Sequence, residues 1–569
     1  MFRPSHRIKC VSVVFALTSC LSPQAILAEQ EGGLQAATVV KGSANADGSQ
    51  QTVLTVAIPS INNLTDKISF LATTIGMGPA GDMVGGMIRS NTVGIDRTRP
   101  AGVVVTSDGE QLTPLGLVPV TDIKQFFDSM AEQFGEPEDI GDGIMELSRP
   151  IPMYIKQHDG WAIISQTEEA LLDVSSELGK QLAILTSKYD LAVQGHMQHI
   201  PDFYREELLG KMNTAIDRQL DQLPDEQREL QERLRDAQIS QWESLLNEVD
   251  EISFGWKIDV ESKETYIDFK STALPNTRLA QQYESLRDTS SKFTGFLKEN
   301  ASVTFNWAYG ISEEDVQNAL DIIQPLRQST KEQLLNSDDL EDDAQRKAAS
   351  HVVDILFDVL EQTIRTGKAD GGGSLNIEKG NVSLMIGALV EDSSKLDAPL
   401  RMLAEQTSDA GESAKVEFDV DSHQGCTFHT ISMAIQGNEA QQWIGDKVQV
   451  AVAIGEQEVY LSAGNDAIGQ LKRAMDATAA AEPNTLPMQM YISLAPLLRL
   501  AAELNENPFF RPLADAFAAS GESARISMIG KGVENGALFR LKIGSGVLEG
   551  VGRTMQAMQG IPAGVGAGQ

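Results

Sequence analysis

The chain has 569 residues, 80 of them acidic against 46 basic, for a formal net charge of −34. Such a field repels polyanions, which excludes nucleic acid as a partner. Three cysteines in so long a chain exclude a disulfide-built scaffold, and the length lets it bury a core without one.

Residues 1–28 have the make-up of a secretory signal peptide. Arg3, Arg7 and Lys9 are unaccompanied by any acid, the apolar run Val11–Leu17 is too short to span a bilayer, and Ala28 offers a small residue for cleavage. Cleavage after Ala28 removes three bases and no acid, leaving a net charge of −37. A second outcome is a lipoprotein box, Leu17-Thr18-Ser19-Cys20, that would leave Cys20 lipidated; the helix-breaking Pro23 favours ordinary cleavage. Either way the chain is expected to leave a bacterial cytoplasm for the periplasm or the outside. Residues 29–50 are small, polar and glycine-rich, the composition of a flexible leader. No later apolar run reaches membrane-spanning length.

A strand over Thr52–Pro59 and a helix over Asn62–Ile75 open the body. The next helix, Pro79–Arg89, carries Gly81, Gly85 and Gly86 with Met83 and Met87. That mixture suits either close approach to a sheet or an adaptable contact surface. Strands are expected at Gly102–Ser107 and Leu115–Val120, a helix at Asp122–Phe134, and strands at Ile144–Leu147, Met153–Gln157 and Trp161–Ser165. Asp142-Gly143 and Asp159-Gly160 are hairpin turn signals. After a strand at Leu191–Gln194, apolar residues recur at steps of three and four from Leu209 to Leu223 and again beyond Pro224. This pattern predicts a long helical hairpin over about 202–250. Strands Glu251–Ile258 and Thr265–Ser271, and a helix near Thr277–Arg287, complete a first half over 51–296.

The same programme restarts at Ser302–Ala308 and fills a second half, 297–560, ahead of a disordered tail at 561–569. Helices at Glu313–Leu326 and Arg346–Ile364 flank an acidic loop. Gly116 matches Gly387 at an offset of 271, whereas Ser165 matches Ser462 and Leu191 matches Met488 at 297. Strands near Ala524–Met528 and Leu538–Ile543 and the helix Val547–Met558 match the end of the first half. The fold class expected is α+β: two homologous halves, each an antiparallel sheet with helices on one face. Alternation such as Thr265-Tyr266-Ile267-Asp268-Phe269-Lys270 fits a sheet with one wet face.

Chemistry-bearing patterns are sparse. His423, Cys426 and His429 are the candidate metal ligands, since imidazole and thiolate suit zinc or copper. On a regular strand, however, His423 and Cys426 point to opposite faces, and a turn at Gln424-Gly425 would put them on two strands. A hairpin holding one buried cysteine is the competing account. His196 and His199 lack a third ligand nearby. The acidic loops Glu136–Asp142 and Asp338–Asp343, and Asp419-Val420-Asp421, do not follow calcium-loop spacing. There is no nucleophile elbow, zinc-protease motif or phosphate loop, and Gly371–Gly373 precedes a strand rather than a helix.

Three stretches, GVVVTSDGEQLTPLGLVPVTDIKQF, MYIKQHDGWAIISQTEEAL and YDLAVQGHMQHIPDFYREELL, resemble a family of uncharacterised secreted proteins of planctomycete-type bacteria. That resemblance implies export and a multi-domain α+β body, and supplies no activity, cofactor or functional residue. The expected function is therefore exported, non-enzymatic binding or scaffolding with a protein or cell-envelope partner and no cofactor. The alternatives are a periplasmic carrier of an apolar small molecule or lipid, and an exported hydrolase.

Overall fold

The computed structural model describes residues 50–559 apart from 173, 176, 221–234, 236–238, 240–241, 288, 336–342, 409–413, 436 and 505–509. Ten strands come first: β1 Gln51–Ile58, β2 Ala101–Ser107, β3 Leu112–Pro119, β4 Glu138–Gly141, β5 Ile144–Leu147, β6 Met153–His158, β7 Trp161–Ser165, β8 Leu191–His196, β9 Val249–Asp259 and β10 Glu264–Ala273. Ten follow: β11 Val303–Gly310, β12 Lys368–Asn376, β13 Ser383–Leu389, β14 Ala414–His423, β15 Cys426–Ala434, β16 Lys447–Ile454, β17 Glu458–Gly464, β18 Met488–Ser493, β19 Arg525–Val533 and β20 Gly536–Ile543. The chain is α+β, and its strands form one antiparallel sheet.

The pairings place the first ten strands in the order β4-β5-β6-β7-β3-β2-β1-β8-β9-β10. They continue as β20-β19-β18-β11-β12-β13-β17-β16-β15-β14. The second block is the first read backwards, with each strand n replaced by strand n+10. The blocks meet where β10 pairs β20, from Thr265↔Ile543 to Thr272↔Gly536. Two separate sheets were expected; this pairing satisfies both edges and leaves one sheet.

Local chemistry accounts for many of the boundaries. Asp142-Gly143, Asp159-Gly160 and Gln424-Gly425 all have positive φ at both residues, between 46° and 82°, the conformation of tight two-residue hairpins. Asp122 caps the helix Ile123–Phe134 by accepting from the amides of Lys124 and Gln125. The helices Ile61–Thr74 and Gly78–Ser90 fill the β1–β2 connection, as Glu313–Leu335 and Asp343–Arg365 fill β11–β12. Asp202–Leu220 follows β8, and the return of that hairpin lies partly outside the described residues. Leu494–Leu504 and Phe510–Ala518 occupy the corresponding place after β18.

Helices were expected on one face only, and the outer parts of the sheet differ. Leu117 and Ile163 pack with the helix Leu178–Thr186, through Leu178 and Leu182. Their neighbours Val118, Ala162 and Ile164 pack with Phe126 and Phe127 of the helix Ile123–Phe134. Consecutive strand residues face opposite ways, so both faces are covered there. At the far end, Cys426, Phe428 and Tyr460 pack with Leu471 and Met475 of the helix Ala467–Ala480.

Leu117 lies opposite Ile163 on β7, and Gly387 lies opposite Tyr460 on β17. The expected offset of 297 relates Ile163 to Tyr460 and so pairs Gly387 with Leu117, whereas the expected offset of 271 pairs it with Gly116; the two offsets differ by one residue of register. A methyl group on Gly387 would meet Phe293 and Tyr460, whereas one on Gly116 would meet Ile164 on the other face.

Candidate functional site

Strand β10 alternates Thr265, Ile267, Phe269 and Ser271 on one face with Tyr266, Asp268 and Lys270 on the other. The polar face holds a closed network. Arg540 on β20 grips Asp268 with both ends of its fork, Nε to Oδ1 at 2.7 Å and Nη2 to Oδ2 at 2.8 Å. The Tyr189 hydroxyl donates to the same Oδ2 at 2.9 Å, and the guanidinium lies 4.2 Å over the Tyr266 ring. Burial and the neighbouring Asp268 carboxylate push the Tyr189 phenol well above its ordinary range. Asp268 is 3 % exposed, yet Phe269, the next residue, is 43 % exposed. Ordinary strands bury the phenylalanine and leave the aspartate in water.

The open face is apolar well beyond β10. Residues directly opposite one another in an antiparallel sheet share a face. Following those pairs, one row runs Val103, Val56, Val193, Phe254, Phe269, Phe539, Gly530, Met488, Trp307. A second row runs Leu191, Trp256, Ile267, Leu541, Met528, Met490, Phe305. No member of either row is charged. Val103, Phe269 and Phe539 are 41–43 % exposed, and the others, Gly530 excepted, are half-buried.

Helices close this face along two opposite margins. On one, Tyr283 donates to Ser271 at 3.0 Å and packs with Leu245, Leu279 and Ile252. On the other, Ile526 and Ile543 pack with Leu494, Leu498, Leu513 and Val547. Between these margins, among the described residues, the two rows form an apolar strip with Val103, Phe269 and Phe539 open to solvent. Methionines 488, 490 and 528 give it an adaptable surface.

The sequence candidates lie elsewhere and do not converge. The hairpin turns at Gln424-Gly425, so His423 and Cys426 sit opposite each other on β14 and β15. His423 bonds Asp476 through Nε2 at 2.7 Å. Cys426 is 4 % exposed, and burial with the nearby Glu458 charge pushes its thiol up to about 11. His429 points to the opposite face, its Nε2 3.6 Å from Asp397 and its ring edge-on to Phe418; burial lowers its pKa. His196 and His199 stack at 5.2 Å, and His199 Nδ1 lies 2.6 Å from the Thr52 carbonyl. Among the described residues no three histidine, cysteine or carboxylate side chains are placed to hold a metal. Glu138 and Asp139 of the first acidic loop are exposed on β4, and most of the second loop lies outside the described residues.

Two other places bear on function. Ser291 donates to Asp370 at 2.6 Å and accepts from Asn306 at 2.7 Å, within a buried network that extends through Asn484 to Gln489. Burial raises the Asp370 pKa, and the group contains no imidazole to act as a base toward Ser291. An open depression of about 500 Å³ on the hairpin 313–365 is lined by Leu335, Arg346, Lys347, Ser350, His351 and Asp354.

The helix Gly78–Ser90 turns Gly81 and Gly85 inward: a methyl group on Gly81 would lie 2.7 Å from Ala72 Cβ and one on Gly85 3.2 Å from Thr65 Cγ2. The close approach is therefore to the helix Ile61–Thr74 rather than to a sheet, and Met83 and Met87 face outward at 63 % and 59 % exposed. Sequence reasoning missed the apolar strip. Its signal was present in the alternation of β10, but alternation does not say which face is covered. No helix among the described residues is long and apolar enough to cross a membrane. Comparison with known protein families, with characterised proteins and with solved structures finds no match to this chain.

Proposed function

We propose that this chain is an exported, non-catalytic binding protein whose binding surface is the apolar strip of the central strands. The observation that carries the reading is the inversion on β10, with Asp268 buried and Phe269 open to solvent beside Phe539. Leaving two large rings about half uncovered forgoes roughly 1 kcal/mol each, which a ligand or partner on that face would recover. Export is supported by the basic, apolar and small-residue succession of residues 1–28. The reversed strand order, together with the 297 offset shared by β7/β17 and β8/β18, supports descent of the two blocks from one duplicated unit. On that reading the long helical hairpin at 202–250 and the pair at 494–518 are the same insertion at different lengths.

The test is native mass spectrometry of residues 29–569 purified from the producing cell, before and after mild denaturation, with Phe269→Ser/Phe539→Ser alongside. A mass excess that denaturation removes, and that the double variant lacks, supports the strip as the binding surface. An excess retained undiminished by a folded double variant puts binding elsewhere. A clean mass for the parent protein, with no protein co-purifying, counts against binding on this face.

A further inference from the structure

The dimensions of the strip narrow its occupant. From β2 to β11 the first row crosses nine strands, about 38 Å at the usual strand spacing, the second crosses seven, and two rows are about 10 Å wide. The resulting floor is on the order of 350 Å², well short of the roughly 800 Å² each partner contributes to a stable protein interface. A second copy or a globular partner is thus too broad to seat between the margin formed by Leu245, Leu279 and Tyr283 and the margin formed by Leu494, Leu513 and Val547. A single extended hydrocarbon chain is not. The length exceeds the ~15 Å that one lipid chain spans in half a bilayer core. The floor is aromatic, aliphatic and thioether side chains without a charge, so nothing in the rows opposes a hydrocarbon. A formal charge of −34 disfavours docking on an anionic bilayer surface, which sets a lipid molecule apart from a membrane as the source.

Resting on the binding reading above, we infer that the strip holds one acyl chain of a single lipid molecule withdrawn from the bilayer. Trp256 and Trp307 stand in the two rows and report on it directly.

The experiment uses delipidated residues 29–569 and tryptophan fluorescence. Saturated fatty acids from eight to eighteen carbons are expected to bind with affinity rising roughly two- to four-fold per added methylene. Stearate brominated at mid-chain is expected to quench fluorescence in the parent and to lose that part of the quenching in Trp256→Phe/Trp307→Phe. Phe269→Asp/Phe539→Asp, with an unchanged melting temperature, is expected to weaken binding at least tenfold. N-phenyl-1-naphthylamine, a compact apolar probe, separates the two levels of the proposal. If it binds on the strip while affinity ignores chain length, the acyl-chain inference fails and the binding reading stands. If neither binds, both fail. Concentration-dependent dimers abolished by the double variant would make a second copy the occupant, and co-sedimentation with intact phosphatidylcholine vesicles would make it a bilayer; either result overturns the inference.

Discussion

Asp268 and Arg540 bridge the two blocks across the β10–β20 pairing, and removing either should have unequal effects. The Asp268 side chain is 4 % exposed and the Arg540 side chain 42 %. Arg540→Ala strands a buried carboxylate with Tyr189 as its remaining side-chain donor. Breaking a fully buried pair this way costs about 3–5 kcal/mol, and the solvent contact of Arg540 reduces that to about 2–3. Asp268→Ala frees a guanidinium that already reaches water, so the loss is nearer 1–1.5 kcal/mol of charged hydrogen bonding. For a chain of more than 500 residues, unfolding entropy is roughly 1 kcal/mol per degree, so Arg540→Ala should lower Tm by about 2–3 °C. Urea denaturation followed by tryptophan fluorescence suits the measurement, because Trp256 sits on β9 beside β10. The double variant should cost less than the sum of the two singles. An Arg540→Ala cost below about 0.5 kcal/mol, or an Asp268→Ala cost larger than that of Arg540→Ala, would refute the claim that the fork compensates a buried charge.

Three further outcomes are expected. Gly81→Ala should destabilise by about 1–3 kcal/mol by driving a methyl into Ala72, whereas Gly86→Ala, with nothing within 4 Å, should stabilise the same helix by about 0.5–1 kcal/mol; paired denaturation curves check both. Cys426 should resist iodoacetamide at pH 8 and react only as the protein unfolds, since a thiol near 11 leaves roughly one molecule in a thousand as thiolate; rapid labelling in the native state refutes this. Because burial lowers the His429 pKa below its ordinary 6.5, the unfolded chain binds more protons there, so this histidine's contribution to stability rises with pH and is lost as pH falls from about 6.5 through the folded value. His429→Gln should flatten the pH dependence of Tm in that window, and an unaltered slope sinks the assignment.

Much of the fold could be read from local pattern. The turns at Asp142-Gly143 and Asp159-Gly160, the Asp122 cap and the period-two strands are properties of short segments, and they fall where expected. What could not be read depends on residues far apart. Whether Phe269 or Asp268 is covered is decided by Arg540, 272 residues away, and by Tyr189. Counting alternating residues identifies two faces and cannot rank them. The same limit applies to His423, Cys426 and His429: the turn between the first two is local, but their fates are set by Asp476, Glu458 and Asp397 on other elements.

The β10–β20 junction also governs the order in which the chain can be completed. Strands β1 to β10 pair only with one another until β20 arrives. During synthesis from the N-terminus, β10 is therefore an unpaired edge bearing Phe269 for as long as the following 270 or so residues take to appear. A chain cut short in that interval retains an adhesive edge of eight donors and acceptors in sequence. Two complete chains whose blocks meet in trans instead would satisfy the same register and lock together as an exchanged dimer.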